Sequence, residues 1–208
     1  APAGDVSAFK AALLAGADEV YLGLPKLNAR MNAANIAERD LPELLLLAHR
    51  RRVSVFLTTN VLLAQSEIPE LLDLAAGALQ AGVDGFIVQD YGALRALRRA
   101  FPRAELHAST QMTTHNCGQV DFLARLGVRR VNLARELTIG QIELITAHAH
   151  SLGVETEVFV HGAYCISFSG QCTMSSFMGG LSANRGLCFQ PCRRAYVRSA
   201  DRPRASTA

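Results

Sequence analysis

The stretch "LQAGVDGFIVQD", Leu79 to Asp90, decides how the rest of the chain is read. An amphipathic segment ends at Gly82, the residue that accepts the left-handed conformation closing a helix without steric cost. An unbroken apolar run follows, of the kind found in a strand buried on both faces, and it stops at the polar pair Gln89 and Asp90. Helix, glycine, buried strand and polar edge together make one unit of a parallel α/β fold.

The unit recurs. "LLAGADEVYLG" (13–23), "LARLGVRRVNLA" (123–134) and "HSLGVETEVFV" (150–160) share it, and "RRRVSVFLTTN" (50–60) and "PRAELHASTQ" (102–111) fill the same slot without the glycine. Six strands are expected near residues 19–23, 53–59, 85–89, 105–110, 130–134 and 156–160. Helices are expected near 41–51, 67–81, 91–100, 115–126 and 138–151. Pro42 and Pro69 fall in first-turn positions, where a missing N–H costs little. Strict alternation implies parallel strands with right-handed crossovers. The spacing favours an incomplete (β/α)8 TIM-barrel-like fold over a doubly wound sheet. Closure requires a strand before Ala1 and at least one unit after Tyr196. The expected organisation is a partial barrel over 1–160, a cysteine-rich loop over 161–196 at its mouth, and a basic tail over 197–208 that continues into a longer chain.

With 208 residues, half of them apolar, the chain can bury a sizeable core. No apolar run is long enough to span a bilayer, and the first residues lack a secretory signal, so no membrane insertion and a cytoplasmic location are expected. The net charge of +3 is uneven: residues 185–208 carry +5 through six arginines and the remainder carries −2. The stretch from Arg185 to Arg204 suits a phosphate-bearing partner.

In a parallel barrel, chemistry collects at the C-terminal ends of the strands. Those ends read Asn28 and Arg30, Thr58 to Asn60, Gln89 and Asp90, Ser109 to Gln111, Arg135 and Glu136, and His161. Each alone fits a helix cap or a satisfied rim residue as well as a catalyst; six polar ends together read as a binding surface. Glu157, His161 and Arg135 are the candidate catalytic residues by position. His148 and His150, two apart on a helix, face different ways and read as surface residues.

Four of the five cysteines fall within 28 residues, as Cys165, Cys172, Cys188 and Cys192 in the pattern C-x6-C-x15-C-x3-C. In a reducing compartment such clusters bind metal or do redox chemistry more often than they form disulfides. Four thiolates suit a tetrahedral zinc or an iron–sulfur cubane, and neither zinc-finger nor ferredoxin spacing is present to choose between them. Cys117, in "THNCGQ" at a helix start, reads as a small core residue or as a thiol of lowered pKa. No nucleophile elbow and no zinc-protease helix appears.

The segment "EVFVHGAYCISFSGQCTMSSFMGGLSANRGLCFQPCR", Glu157 to Arg193, closely resembles the signature of peptidase family U32, the collagenase-like proteases. Glu157, Phe159, Gly162, Cys165, Gly170, Cys172 and Ser175 carry the match. "APAGD", "YLG…NAR" and "HASTQM" resemble the same family's barrel. "GGLSANRGLCFQPCR" is nearer to its RNA-modifying branch than to its ubiquinone-biosynthesis branch. The resemblance implies a 4Fe–4S cluster held by Cys165, Cys172, Cys188 and Cys192. It further implies a role in RNA hydroxylation, nearest to 5-hydroxylation of the tRNA wobble uridine with prephenate as hydroxyl source. RNA (tRNA or rRNA) is the expected partner, with an iron–sulfur partner protein as a further possibility. Peptide hydrolysis and an iron–sulfur subunit of an oxygen-independent ubiquinone hydroxylase are the alternatives. Tyr164, Phe168 and Phe189 are placed either to stack a flipped base or to cover the cluster.

Overall fold

A computed structural model describes residues 1–162 and 165–197. Seven strands form one parallel sheet: β1 (Pro2–Ala3), β2 (Glu19–Leu22), β3 (Ser54–Thr59), β4 (Gly85–Val88), β5 (Glu105–Ala108), β6 (Arg130–Asn132) and β7 (Glu155–Glu157). They pair in chain order, each parallel to the next. An order that never reverses is that of a barrel wall, since a doubly wound sheet turns back at a switch point. The seventh strand is β1: Pro2 and Ala3 pair with Tyr21 and Leu22, so a strand opens inside the sequence where one had been expected to precede it.

The sheet is strongly curled. Arg130 of β6 bonds Glu19 of β2 through both guanidinium nitrogens, with Nη2 2.7 Å from Oε1. In a flat sheet those strands lie roughly 19 Å apart, four spacings of about 4.8 Å. The two side chains meet only because the sheet wraps around a lumen. Among the described residues no pairing joins β7 back to β1, so the wall is a half-barrel.

Helices line the outside: α1 (Val6–Leu14), α2 (Leu41–His49), α3 (Ile68–Ala81), α4 (Tyr91–Ala100), α5 (Cys117–Arg125) and α6 (Ile139–Ser151). Their starts are chemically marked. Asp5, Asp90 and Asn116 accept hydrogen bonds from Ala8, Ala93 and Gln119 backbone N–H groups, and Thr138 forms a capping box with Gln141. Pro42 and Pro69 stand in the first turns of α2 and α3. Gly82 ends α3 at φ 104°, the left-handed closure that its sequence position requires. Between wall and helices lies the apolar core, with Val20, Leu22, Val55, Leu57, Phe86, Val88, Leu106 and Val131 on the outward face of the strands, all almost fully buried.

Three strands are shorter than their apolar runs. β5 stops at Ala108 because the Ser109 hydroxyl turns back to accept from Gln111 N–H and opens a helical turn over Thr110–Met112. β6 stops at Asn132, although Leu133 and Ala134 stay buried. β7 ends at Glu157, with Val158, Phe159 and Val160 exposed beyond it: Leu133 N–H bonds the Glu157 carbonyl, but from there Leu133 and Ala134 turn to Thr114, and no described strand lies on the other side of β7.

Candidate functional site

The inward positions of the strands are mostly polar, with Phe56 and Ile87 among them, whereas the outward face is apolar. Glu19, Arg130, Glu155, Glu157, Glu105 and His107 form one charged cluster in the lumen. Arg130 sits between Glu19 and Glu155, with Glu157 Oε2 at 3.9 Å. Its guanidinium pKa is raised, chiefly by the hydrogen bonds to Glu19 and then Glu155. Glu155 is correspondingly held below the usual carboxylate range by Arg130. Glu157 goes the other way: burial pushes it up, against the pull of Arg130 and a hydrogen bond from Asn132 Nδ2 at 2.9 Å. His107 stacks its ring 4.2 Å from Phe56 and meets Glu105 at 2.8 Å, and burial lowers its pKa.

Above the lumen, at the C-terminal ends of the strands, residues 165–193 form a cap. A short helix, α7 (Met174–Gly179), and two helical turns at Ala183–Arg185 and Pro191–Arg193 give it structure. Rim residues clamp it from three sides. Arg135 donates to the carbonyls of Cys165 (3.0 Å) and Ser167 (2.8 Å). Glu136 accepts from the backbone N–H and hydroxyl of Ser169. His115 stacks on Phe168 at 4.8 Å and 8°. Opposite, Arg185 makes two bonds to Glu67 and one to the Leu62 carbonyl, while Leu62 N–H donates to Asn184. Between them, Gln171 donates to the Gln111 carbonyl. Gly186 packs so closely that a Cβ there would lie 2.2 Å from the Asn28 carbonyl oxygen.

The cap carries four cysteines, Cys165, Cys172, Cys188 and Cys192. All five cysteines are free thiols. Cys172 Sγ accepts from Met174 N–H at 3.4 Å, and Cys188 Sγ accepts from Gln190 N–H at 3.4 Å and from the Ser175 hydroxyl at 3.8 Å, so both are tied to the first turn of α7 or its surroundings. Cys192 lies in the turn that packs on α7. Cys165 stands on the Arg135 side, its sulfur 3.0 Å from Ser167 Oγ. Burial works against its ionisation, yet Ser167 and Arg135 together hold the thiol below its usual range. Among the described residues, no three His, Cys, Asp or Glu side chains stand together as a metal-holding group. The soft donor set and the N–H···S bonds suit a thiolate-bound centre, and drawing four sulfurs onto one centre would require the cap to tighten.

The three positional candidates part company. Glu157 lines the lumen. Arg135 belongs to the clamp. His161 is exposed beyond β7, next to the undescribed residues 163–164. Several other expectations change. Arg185 had been read as a cation for phosphate; its guanidinium is engaged by Glu67. Phe189 packs against Gly179 and under Arg194, whose guanidinium lies 4.9 Å from the ring. Two hold: Cys117 packs against the core, as a small core residue, and His148 lies at the surface, half-buried, where it bonds Asp121 at 2.7 Å. Tyr164 and the tail arginines Arg198, Arg202 and Arg204 lie outside the described residues. The Arg135 and Glu136 clamp was missed because its partners are 30 or more residues away, although both stood among the polar strand ends. No helix among the described residues is long and apolar enough to cross a membrane.

Comparison with known proteins agrees with this architecture. The model of peptidase family U32 matches residues 4–207. The chain is 40% identical over 203 residues to the 23S rRNA 5-hydroxycytidine C2501 synthase of Escherichia coli (strain K12), covering 98% of this chain and 30% of that protein. It is 35% identical over 196 residues to tRNA hydroxylation protein P1 of Bacillus subtilis (strain 168), covering 94% and 46%. It is 33% identical over 206 residues to a collagenase of Porphyromonas gingivalis (strain ATCC BAA-308 / W83), covering 95% and 49%. The chain thus spans between about a third and a half of the length of these relatives. The solved structure of the U32 peptidase Mk0906 superposes with a TM-score of 0.62 at 14% identity, over 76% of this chain and 66% of that one, which supports the fold. On these matches and this geometry, the chain belongs to peptidase family U32.

Proposed function

We propose that the protein hydroxylates RNA at C5 of a pyrimidine, with Cys165, Cys172, Cys188 and Cys192 holding a 4Fe–4S cluster at the barrel mouth. The observation that carries this reading is the placement of all four cysteines on one clamped cap above a polar lumen. Similarity to proteins named for rRNA and tRNA hydroxylation supplies the substrate class. Replacing C5–H by C5–OH is a two-electron oxidation that releases a proton from C5 and needs a two-electron acceptor outside this chain; a thiolate-held cluster would supply the route by which the electrons leave. The chain's own residues set the rest. Arg135 and Glu136 fix the cap over the mouth, Glu157 can hold a proton inside the lumen, and the amides at the strand ends offer hydrogen bonds to an extruded base. The tRNA wobble uridine, with prephenate as hydroxyl source, and an rRNA cytidine are two versions of the same chemistry.

Nucleoside mass spectrometry of tRNA and rRNA from a strain lacking the gene tests the proposal. It requires that a 5-hydroxypyrimidine disappear and return with the intact gene. RNA unchanged in both fractions would refute it. Peptide hydrolysis is the second reading, favoured by the lowered thiol of Cys165. Its described contacts, Ser167 and Arg135, include no base to activate it.

A further inference from the structure

The last inward position of each strand forms a single row. The paired row Thr59, Val88, Ala108, Val131 and Thr156 faces the helices. One residue further on, and therefore facing the lumen, stand Asn60, Gln89, Ser109, Asn132 and Glu157. Asn132 and Glu157 are themselves registered partners.

Most of this row is committed to other groups. Asn60 accepts from Ala29 N–H and donates to Gln111, and the Ser109 hydroxyl accepts from Gln111 N–H. Two atoms are not. Gln89 is 4% exposed and Asn132 is 7% exposed, and neither Gln89 Oε1 nor Asn132 Oδ1 has a hydrogen-bond partner among the described residues. Asn132 Nδ2 donates to Glu157 Oε1 at 2.9 Å, which leaves the amide oxygen as the free end of the side chain. Leaving a buried carbonyl unsatisfied is costly, so two in one row mark a place built for donors.

We propose that Gln89 and Asn132 form the base-recognition subsite of the mouth and accept hydrogen bonds from the edge of one pyrimidine. This rests on the RNA reading above and deepens it by assigning the residues that hold the base. Both free atoms are acceptors, which selects an edge bearing donors: the exocyclic amine of cytosine or the N3–H of uracil. The two residues lie two strands apart on the same wall, about 10 Å between backbones, and both face inward. That gap suits one six-membered ring better than a fused purine. The two amides are neutral, as is the base, so their pairing strips no charge.

Titration calorimetry of the full-length protein with cytidine, uridine and adenosine 5′-monophosphates tests the subsite. The pyrimidines are expected to bind more tightly than the purine. Gln89→Met keeps the side chain's length and removes the free carbonyl; it should weaken pyrimidine binding about tenfold with no loss of stability. Asn132→Leu should weaken it similarly. Equal binding of all three nucleotides, no binding, or pyrimidine binding unaffected by Gln89→Met would each overturn the assignment. RNA unaltered in the deletion strain together with amide-dependent pyrimidine binding would instead sink the RNA reading and leave the subsite standing.

Discussion

Arg130 shows how one residue fixes both shape and charge. Its guanidinium faces Glu19, Glu155 and Glu157, and its side chain is 14% exposed. Arg130→Met leaves three carboxylates facing one another, and the loss of a buried partner of this kind typically costs about 3–5 kcal/mol. Urea unfolding should therefore show a lower midpoint, and a variant as stable as the parent would contradict the lumen described here. Glu157 makes the opposite prediction. Its folded-state pKa lies above its unfolded value, so its contribution is fully present at acid pH and is lost as pH rises through the folded value. Glu157→Gln keeps an oxygen for Asn132 and should unfold later than the parent at neutral pH, with the advantage vanishing in acid. Glu155, lowered by Arg130, stabilises at neutral pH and stops doing so as acid protonates it.

At the scale of elements, the cap depends on a few long-range clamps. Arg135→Met removes donors to two cap carbonyls while leaving the apolar core intact. Amide exchange over residues 165–171 should then quicken roughly tenfold, as expected for about 1–2 kcal/mol of lost bonding, while exchange in β3 and β4 stays unchanged. Uniform acceleration across the protein would show that the cap has no independence from the barrel. Sequence revealed the wall far better than the cap, for a physical reason. Strands and helices announce themselves through local periodicity, caps and glycines, as at Gly82 and Asp90. Arg185 and Glu67 are 118 residues apart, and nothing local in "SANRG" reveals their pairing. The same limit hid β1, whose two residues are too few to show a period, and lengthened β7, whose apolar run continues after its partner strand has ended. The four cysteines and their position past the last strand were legible; which rim residues hold them was not.

For the whole molecule, a mostly polar lumen and an apolar jacket follow from one alternation along each strand, and the cysteine-bearing cap closes over the lumen. Outward Val, Leu and Phe pack the helices, and inward Glu, Arg, His, Asn and Gln make the site. RNA binding by the full-length protein should weaken as salt rises, because cations on the protein displace counterions from phosphates. Arg194 is exposed beside the cap, and Arg194→Ala should reduce the slope of log affinity against log salt by about 1 if it meets a phosphate. An unchanged slope would place the RNA elsewhere.

The function proposed for the mouth turns on the four thiols acting together on one centre. The most direct measurement is iron, sulfide and zinc analysis of the full-length protein purified without oxygen, beside its Cys165→Ser, Cys172→Ser, Cys188→Ser and Cys192→Ser variants. The account requires roughly four iron and four sulfide per chain in the parent, as a 4Fe–4S cluster contains, and loss of the cluster in each variant. A single zinc, or metal content indifferent to these cysteines, would contradict it.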